Sequence, residues 1–272
     1  MTKALNITFI GGGNMAHAML SGLKNNGFTM QNICVVEPSA EKRAQLASQF
    51  GIEITDNLDD AHQSNIIILA IKPQQLKEVC LNLSAHLSQQ LVISIAAGIR
   101  TNDISRWLNN YPCIVRVMPN TPSQIQAGVS ALYARDEVAE SQRSAAIQIL
   151  NAIGKTLWLE DEKDMDAVTA ISGSGPAYVF YLIEALTDAG VKLGLSGENA
   201  RLLALETFAG ASLLAAQSTF PVETLRAQVT SKGGTTEQGV LVLQSANIKE
   251  IIYQTAKAAA EKSVILGDAL GV

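Results

Sequence analysis

The sequence predicts an α/β protein that continues into an all-α part. An N-terminal Rossmann-type doubly wound sheet is expected over residues 1–160 and a C-terminal helical dimerisation domain over 161–272. Three observations predict it. Up to Glu160, short apolar runs alternate with segments of helical period, the pattern of βα winding in a parallel sheet. The first run ends directly in Gly11-Gly12-Gly13-Asn14-Met15-Ala16, a G-x-G-x-x-A turn between a strand and a helix. Beyond Glu160 no β-branched run remains and the chain reads as successive helices.

Each element follows from local chemistry. The apolar run that begins at Ala4 gives a buried strand over 5–10, and the helix after it, 14–26, keeps helical spacing until Gly27, a natural C′ residue. The second strand, 32–37, stops at Pro38, and a helix over 40–50 ends at Gly51. IEIT, NIIILAI and LVISIA supply further strands, with Pro73 suited to a helix start. CIVRVM (113–118), GVSALYA (128–134) and KTLWLE (155–160) extend the sheet, and a helix lies between Glu137 and Ile153. The second half offers helices at 164–171, 176–193, 198–217, 222–229, 235–245 and 248–266. Their runs ALLAL, GASLLAA and VLVL hold more apolar surface than a domain of this size covers alone, which predicts packing against a second subunit.

Composition narrows the function. With 47% hydrophobic and 17% charged residues the chain buries much of itself and is no disordered polyelectrolyte. Lys and Arg number 20 against 25 Asp and Glu, a formal net charge of −5, which argues against nucleic acid or an anionic membrane as partner. Cys34, Cys80 and Cys113 are odd in number and far apart, so no disulfide framework is legible and a reducing, cytoplasmic setting is expected. His17, His62 and His86 lack ligand spacing, and no metal is expected. No run approaches the roughly 20 apolar residues of a membrane span, and the run at 4–10 is too short for a signal segment.

The candidate chemistry sits at strand ends and helix starts. Gly11 permits the tight turn, Gly13 lets the backbone approach a pyrophosphate and Ala16 is small enough for the helix to close on the strand. The free N–H groups and the positive helix end then face the anion, with Asn14 and Met15 as contacts. Without a ligand the same glycines would form only a βα turn, but their place after the first strand favours a nucleotide. Glu37 ends the second strand, where an acidic side chain accepts from ribose hydroxyls and favours NAD over NADP. Ser39, Lys42 and Arg43 offer the alternative of a 2′-phosphate site, so the cofactor stays open between NADPH and NADH.

Ala70, Ile71, Lys72 and Pro73 follow the fourth strand and Ala96, Ala97 and Gly98 the fifth, where a doubly wound sheet places its ligand crevice. Lys72 reads as a cofactor contact or as a solvated strand-end charge. Asn120 lies in Pro119-Asn120-Thr121-Pro122, a rigid turn, and reads as a nicotinamide contact or as part of that turn. Ser172-Gly173-Ser174-Gly175-Pro176-Ala177 precedes a long helix with Pro176 in a first-turn position. Ser231-Lys232-Gly233-Gly234-Thr235-Thr236 precedes another, and Thr235 with Gln238 has capping-box spacing. Both segments suit an anion of carboxylate size, with capping alone as the default.

Taken together, IGGGNMA, AIKPQ, SIAAG, RVMPNTP, SGSGPAYVF and SKGGTT stand in the order and spacing of the pyrroline-5-carboxylate reductases, which the chain resembles over nearly its whole length. The first glycine motif is shared by many dehydrogenases, whereas RVMPNTP, SGSGPAYVF and the GGTT loop are specific to that family. The resemblance implies NAD(P)H-dependent reduction of the cyclic imine L-1-pyrroline-5-carboxylate to L-proline, the last step of proline biosynthesis. It also implies an intertwined homodimer, often assembled further into rings, in which the substrate loop of one subunit completes the site. On the same resemblance Asn57 is an adenosine-side contact, Thr236 the catalytic hydroxyl that faces the imine nitrogen, and Glu162 an acidic substrate-side residue. Ser231, Gly233, Gly234 and Thr235 join Thr236 around the substrate, whose carboxylate the backbone N–H groups take. Two residues depart from the family pattern. Lys232 stands where Pro is common, and Glu37 where NADP-preferring members often have small or basic residues.

A protonated imine is already a good hydride acceptor, so the chemistry requires orientation more than a strong general acid. Two other readings compete. A β-hydroxyacid dehydrogenase, also a Rossmann domain followed by helices, uses a lysine in the glycine-rich segment that opens its central helix, and residues 172–180 contain none. A nucleotide-sensing module without catalysis needs neither SGSGPAYVF nor the GGTT loop.

Overall fold

The structure, a computed structural model, describes residues 5–272; Ala4 of the predicted first run and the His62 side chain lie outside the described residues. The strands are β1 (Ile7–Ile10), β2 (Ile33–Val36), β3 (Glu53–Thr55), β4 (Ile66–Leu69), β5 (Leu91–Ser94), β6 (Ile114–Met118), β7 (Gly128–Ala134) and β8 (Gly154–Trp158). They form one sheet in the order β3-β2-β1-β4-β5-β6-β7-β8. The chain reverses its direction of growth between β3 and β4, which sets β1 beside β4 with Ile10 opposite Leu69. That reversal opens the crevice of a doubly wound sheet at the carboxyl ends of β1 and β4.

Alternate strand residues face opposite layers, because successive side chains of a strand point to opposite sides. Phe9, Ile68 and Val115 pack under α1 (Asn14–Asn25) and α2 (Ala40–Phe50), through Leu20, Leu23 and Phe50. Ile10, Ile67 and Ile114 face the other layer, α3 (Pro73–Leu83) and α4 (Thr101–Trp107), through Leu76 and Trp107. α5 (Glu140–Leu150) returns to the first layer with Ile149 and Leu150.

The sheet departs from wholly parallel winding at β7, which runs antiparallel to β6 with Val117 opposite Leu132. A single 3-10 turn, Thr121–Ile125, joins the two strands. A parallel return needs a crossover of a dozen residues or more, so the short connection dictates the reversal. Helix α4 has no counterpart in the sequence prediction, since its 7 residues span under two turns and show little periodicity.

The remaining helices are α6 (Asp164–Val168), α7 (Gly175–Lys192), α8 (Gly197–Gln217), α9 (Val222–Gln228), α10 (Thr235–Ser245) and α11 (Ile248–Leu270). Two compact units result. The first runs through Ser174 and takes back Ala258–Val272; the second is Gly175–Lys257. The first unit reaches beyond residue 160 because the segment after β8 is bonded into it. Asp166 accepts from Ser263 at 2.6 Å, and Arg100 pairs with Asp268 at 2.6 Å, which draws the end of α11 back. Within the second unit α7 and α8 form a hairpin so close that a Cβ on Gly190 would lie 2.9 Å from that of Ala200.

The two glycine-rich helix starts differ. Residues Thr169–Gly173 form a π-helical turn, and the Ser174 N–H donates to the Thr169 carbonyl at 2.8 Å. The glycine-rich segment before α7 is therefore wound, and Pro176 lies in the first turn of α7 as expected. At α10 the N-cap is Gly234, in extended conformation and without a side-chain cap, so Thr235 is the first helical residue and the capping box does not form. The physical reason is Gly233, whose φ of +73° turns the chain so that the helix begins one residue earlier than the spacing implied.

Candidate active site

The carboxyl ends of β2, β1, β4 and β5 lie side by side and carry most of the sequence-predicted residues. Gly11 donates to the Val36 carbonyl at 2.8 Å and has φ +99°. A Cβ there would lie 2.7 Å from the Ala70 carbonyl oxygen, so only glycine fits. Gly13 is the N-cap of α1, has no side-chain cap, and faces open space where a Cβ would meet nothing within 4 Å. The first N–H groups of α1, those of Asn14, Met15 and Ala16, have no helical acceptor. No acidic side chain occupies this first turn. A bare helix start over a tight glycine turn fits the pyrophosphate of a dinucleotide, and these residues would hold it.

Glu37 lies at the end of β2, only 5% exposed. Its Oε2 accepts from the Gly12 N–H at 2.9 Å and its Oε1 from the Ser39 N–H at 3.0 Å, so the carboxylate braces the glycine turn. Arg43 donates to the carbonyls of Glu37 at 3.0 Å and Pro38 at 2.9 Å and pairs with Asp56 at 3.0 Å. Asn57 is exposed and caps the 3-10 turn that follows, its Oδ1 accepting from the Asp59 N–H at 3.1 Å. Ala70 and Ile71 form the wall beside Gly11. Lys72 is exposed at the N-cap position of α3, with Pro73 in its first turn.

Ala97 is exposed between the buried Ala96 and Gly98. Gly98 has φ +82°, and the backbone of Gly267 runs against it. Asn120 is buried and accepts from the Val129 N–H at 2.9 Å through Oδ1, closing the β6–β7 turn. Its side-chain oxygen thus serves the turn.

Glu162 forms a network that sequence reasoning did not assemble. Its Oε1 accepts from the Thr101 N–H at 2.8 Å and from Arg116 at 3.0 Å, and its Oε2 accepts from the Thr101 hydroxyl at 2.6 Å. Arg116 points from β6 into the interior, its side chain 4% exposed. The signal for it was present: an arginine inside the buried run Ile114-Val115-Arg116-Val117 needs a carboxylate. Glu162 thereby fixes the start of α4, which follows the Ala96–Gly98 segment.

In the second unit, the loop before α10 has two of its N–H groups already bonded. Gly233 donates to Glu237 Oε2 at 2.7 Å and Gly234 to the Ser231 carbonyl at 3.0 Å. The open donors at this helix start are those of Thr235, Thr236 and Glu237. Thr236, Ser231 and Lys232 are exposed. Among the described residues no group of three or more His, Cys, Asp or Glu is placed to hold a metal ion.

Comparisons with known proteins agree with this layout. A family model described as pyrroline-5-carboxylate reductase dimerisation matches residues 162–266, and one described as NADP oxidoreductase, coenzyme F420-dependent, matches residues 6–98. The pyrroline-5-carboxylate reductase of Pseudomonas aeruginosa is 43% identical over 267 residues, covering 97% of this chain and 98% of its own. The solved structure of that enzyme from Coxiella burnetii superposes with a TM-score of 0.92 at 40% identity, covering 96% of this chain and 98% of the other. The Plasmodium falciparum pyrroline carboxylate reductase, solved with NADP bound, has a TM-score of 0.86 at 32% identity, covering 97% of this chain and 98% of its own. With relatives of this identity along nearly the whole length, the chain belongs to the pyrroline-5-carboxylate reductase family.

Proposed function

We propose that this chain reduces the cyclic imine L-1-pyrroline-5-carboxylate to L-proline with NADPH or NADH. The observation that carries the reading is the bare start of α1 above Gly11, a dinucleotide cradle in a chain that follows reductases of that name from end to end. The reduced nicotinamide, when bound, supplies a hydride for the imine carbon. A proton on the ring nitrogen completes the conversion of C=N to C–N. The chain's own work is to hold the two reactants in register, which accounts for most of the acceleration in a reaction of this kind.

In this reading Thr235 and Thr236 present open N–H groups to the substrate carboxylate, and the exposed Thr236 hydroxyl orients the ring nitrogen. The loop of residues 231–236 is kept in shape by the Gly233–Glu237 bond. Glu162 contributes on the substrate side by holding Arg116 and Thr101. Lys72, Ala97 and Asn57 line the cofactor. The dehydrogenase and sensor alternatives are not favoured by the relatives.

A homodimer belongs to the same proposal. Phe180, Tyr181, Leu213, Leu214 and Tyr253 are exposed in this single chain, and apolar patches of this kind on a helical surface mark a subunit interface. No helix among the described residues is long and apolar enough to cross a membrane. Action in the cytoplasm is part of the proposal, since Cys34, Cys80 and Cys113 are all free thiols.

The test is genetic. Expression in a bacterial strain that requires proline for want of its own reductase restores growth on medium without proline. Failure to grow, with folded protein demonstrably present, overturns the proposal.

A further inference from the structure

Arg43 is held between the loop after β2 and Asp56 after β3. The inference rests on the reading of the crevice as a nicotinamide-dinucleotide site. The two cofactors differ only by a phosphate on the adenosine ribose, which a Rossmann domain meets at the loop after its second strand. Three cationic or hydroxyl side chains lie there, Ser39, Lys42 and Arg43.

Ser39 and Arg43 are otherwise engaged, and Lys42 is free in solvent. The Ser39 hydroxyl accepts from the Lys42 N–H at 3.4 Å as the N-cap of α2. Lys42 is exposed on the first turn of that helix. The Arg43 guanidinium is drawn down onto the loop. Its Nη1 donates to both the Glu37 and Pro38 carbonyls, and its Nη2 reaches Asp56 Oδ2 at 3.0 Å. Asp56 follows β3, the strand beside β2, so it neutralises the arginine from the neighbouring strand end. The Glu37 carboxylate meanwhile is fixed by two backbone N–H groups, and each of its oxygens retains a lone pair for a ribose hydroxyl.

We propose that Asp56 is a specificity-determining residue that acts through Arg43. It retains the guanidinium as a brace of the β2–α2 loop, leaves the negative Glu37 unopposed at the ribose, and so tilts the enzyme toward NADH. Freed from Asp56, Arg43 keeps its charge and its reach, and a 2′-phosphate becomes its natural partner.

The full-length protein is assayed with both cofactors as wild type, Asp56→Asn, Asp56→Ser, Arg43→Ala and the double variant Asp56→Asn with Arg43→Ala. Binding of adenosine 2′,5′-bisphosphate and of adenosine 5′-monophosphate is measured by calorimetry on the same proteins, and thermal melts verify folding. The wild type is expected to favour NADH. Either Asp56 variant raises the NADPH to NADH ratio of kcat/KM about three- to fivefold, the worth of one partly exposed ion pair, and tightens the bisphosphate by the same factor. The double variant loses both gains. A wild type that prefers NADPH, an unchanged ratio in the folded Asp56 variants, or a gain that survives removal of Arg43 overturns the inference. A wild type that binds the adenosine nucleotides but does not reduce the imine overturns the proposed function instead, while the binding measurements still decide the role of Asp56.

Discussion

Removing the Glu162 carboxylate tests whether it clamps the fold or serves the substrate directly. In Glu162→Ala the guanidinium of Arg116, 4% exposed, loses the carboxylate that lies 3.0 Å away. Breaking a buried pair from one side costs about 3–5 kcal/mol, because the remaining charge is left without compensation. The Thr101 N–H and hydroxyl lose their acceptors as well, a loss of helix capping worth about 1 kcal/mol. Since the Glu162 side chain retains 17% exposure, water reaches part of the gap and the lower end of the range applies. A total near 4 kcal/mol corresponds to a fall in Tm of roughly 8–16 °C for a chain of this size. Thr101→Val, which keeps the ion pair and removes one hydroxyl, lowers stability by about 1 kcal/mol. The assay is a thermal melt at fixed protein concentration, beside steady-state kinetics for Glu162→Gln. If Glu162→Ala melts with the wild type, no clamp exists. If Glu162→Gln melts normally and loses more than about tenfold in kcat/KM, the carboxylate acts on the substrate itself.

Thr236→Ala removes a hydroxyl that has no partner among the described residues, so the melt is unchanged, while kcat/KM falls roughly ten- to a hundredfold for loss of a hydrogen bond to a charged ring nitrogen; full activity in the variant removes the hydroxyl from the site. Gly11→Ala places a Cβ 2.7 Å from the Ala70 carbonyl at φ +99°, and calorimetry with NADH is expected to find binding lost, whereas wild-type affinity contradicts the cradle. Burial pushes the Cys80 thiol up to about 12, and burial with the charges of Glu53 and Asp60 pushes Cys34 up to about 11. Both raised values mean that the folded state resists ionisation, so their contribution to stability is full at neutral pH and is lost as the pH rises from about 9 toward 12. Chemical denaturation across that window shows the decline, and a flat profile refutes it. At pH 8 the thiolate fraction of Cys34 is about 10⁻³, so mass spectrometry after brief alkylation finds Cys34 and Cys80 unmodified in the folded protein. Light scattering of dilute protein gives a dimer, and an active monomer contradicts the shared interface.

The sequence made much of the first unit legible because local signals there agree with the tertiary ones. Gly51 ends α2 as the pattern required, taking φ +64°, and Ser39, read only as a phosphate-site candidate, caps its start through the Lys42 N–H. Gly11 and Gly13 fell where a strand meets a helix, and the crevice follows from the chain order. What the sequence hid depends on residues far apart. The direction of β7 is decided by the length of a turn rather than by the apolar pattern of the strand itself. The Arg116–Glu162–Thr101 network joins positions 46 and 61 residues apart, which no periodicity marks. Arg43 reads as a phosphate ligand until Asp56, on the next strand end, is seen to hold it. The start of α10 failed for the opposite reason: a local capping pattern was overridden by the left-handed turn at Gly233.

The most direct measurement mixes the purified full-length protein with NADH or NADPH and pyrroline-5-carboxylate, and follows both the absorbance of the reduced nicotinamide and the L-proline formed. The account predicts one proline for each nicotinamide oxidised, with turnover that requires the imine. Oxidation without proline, or no turnover by a folded protein that binds the nicotinamide, contradicts it.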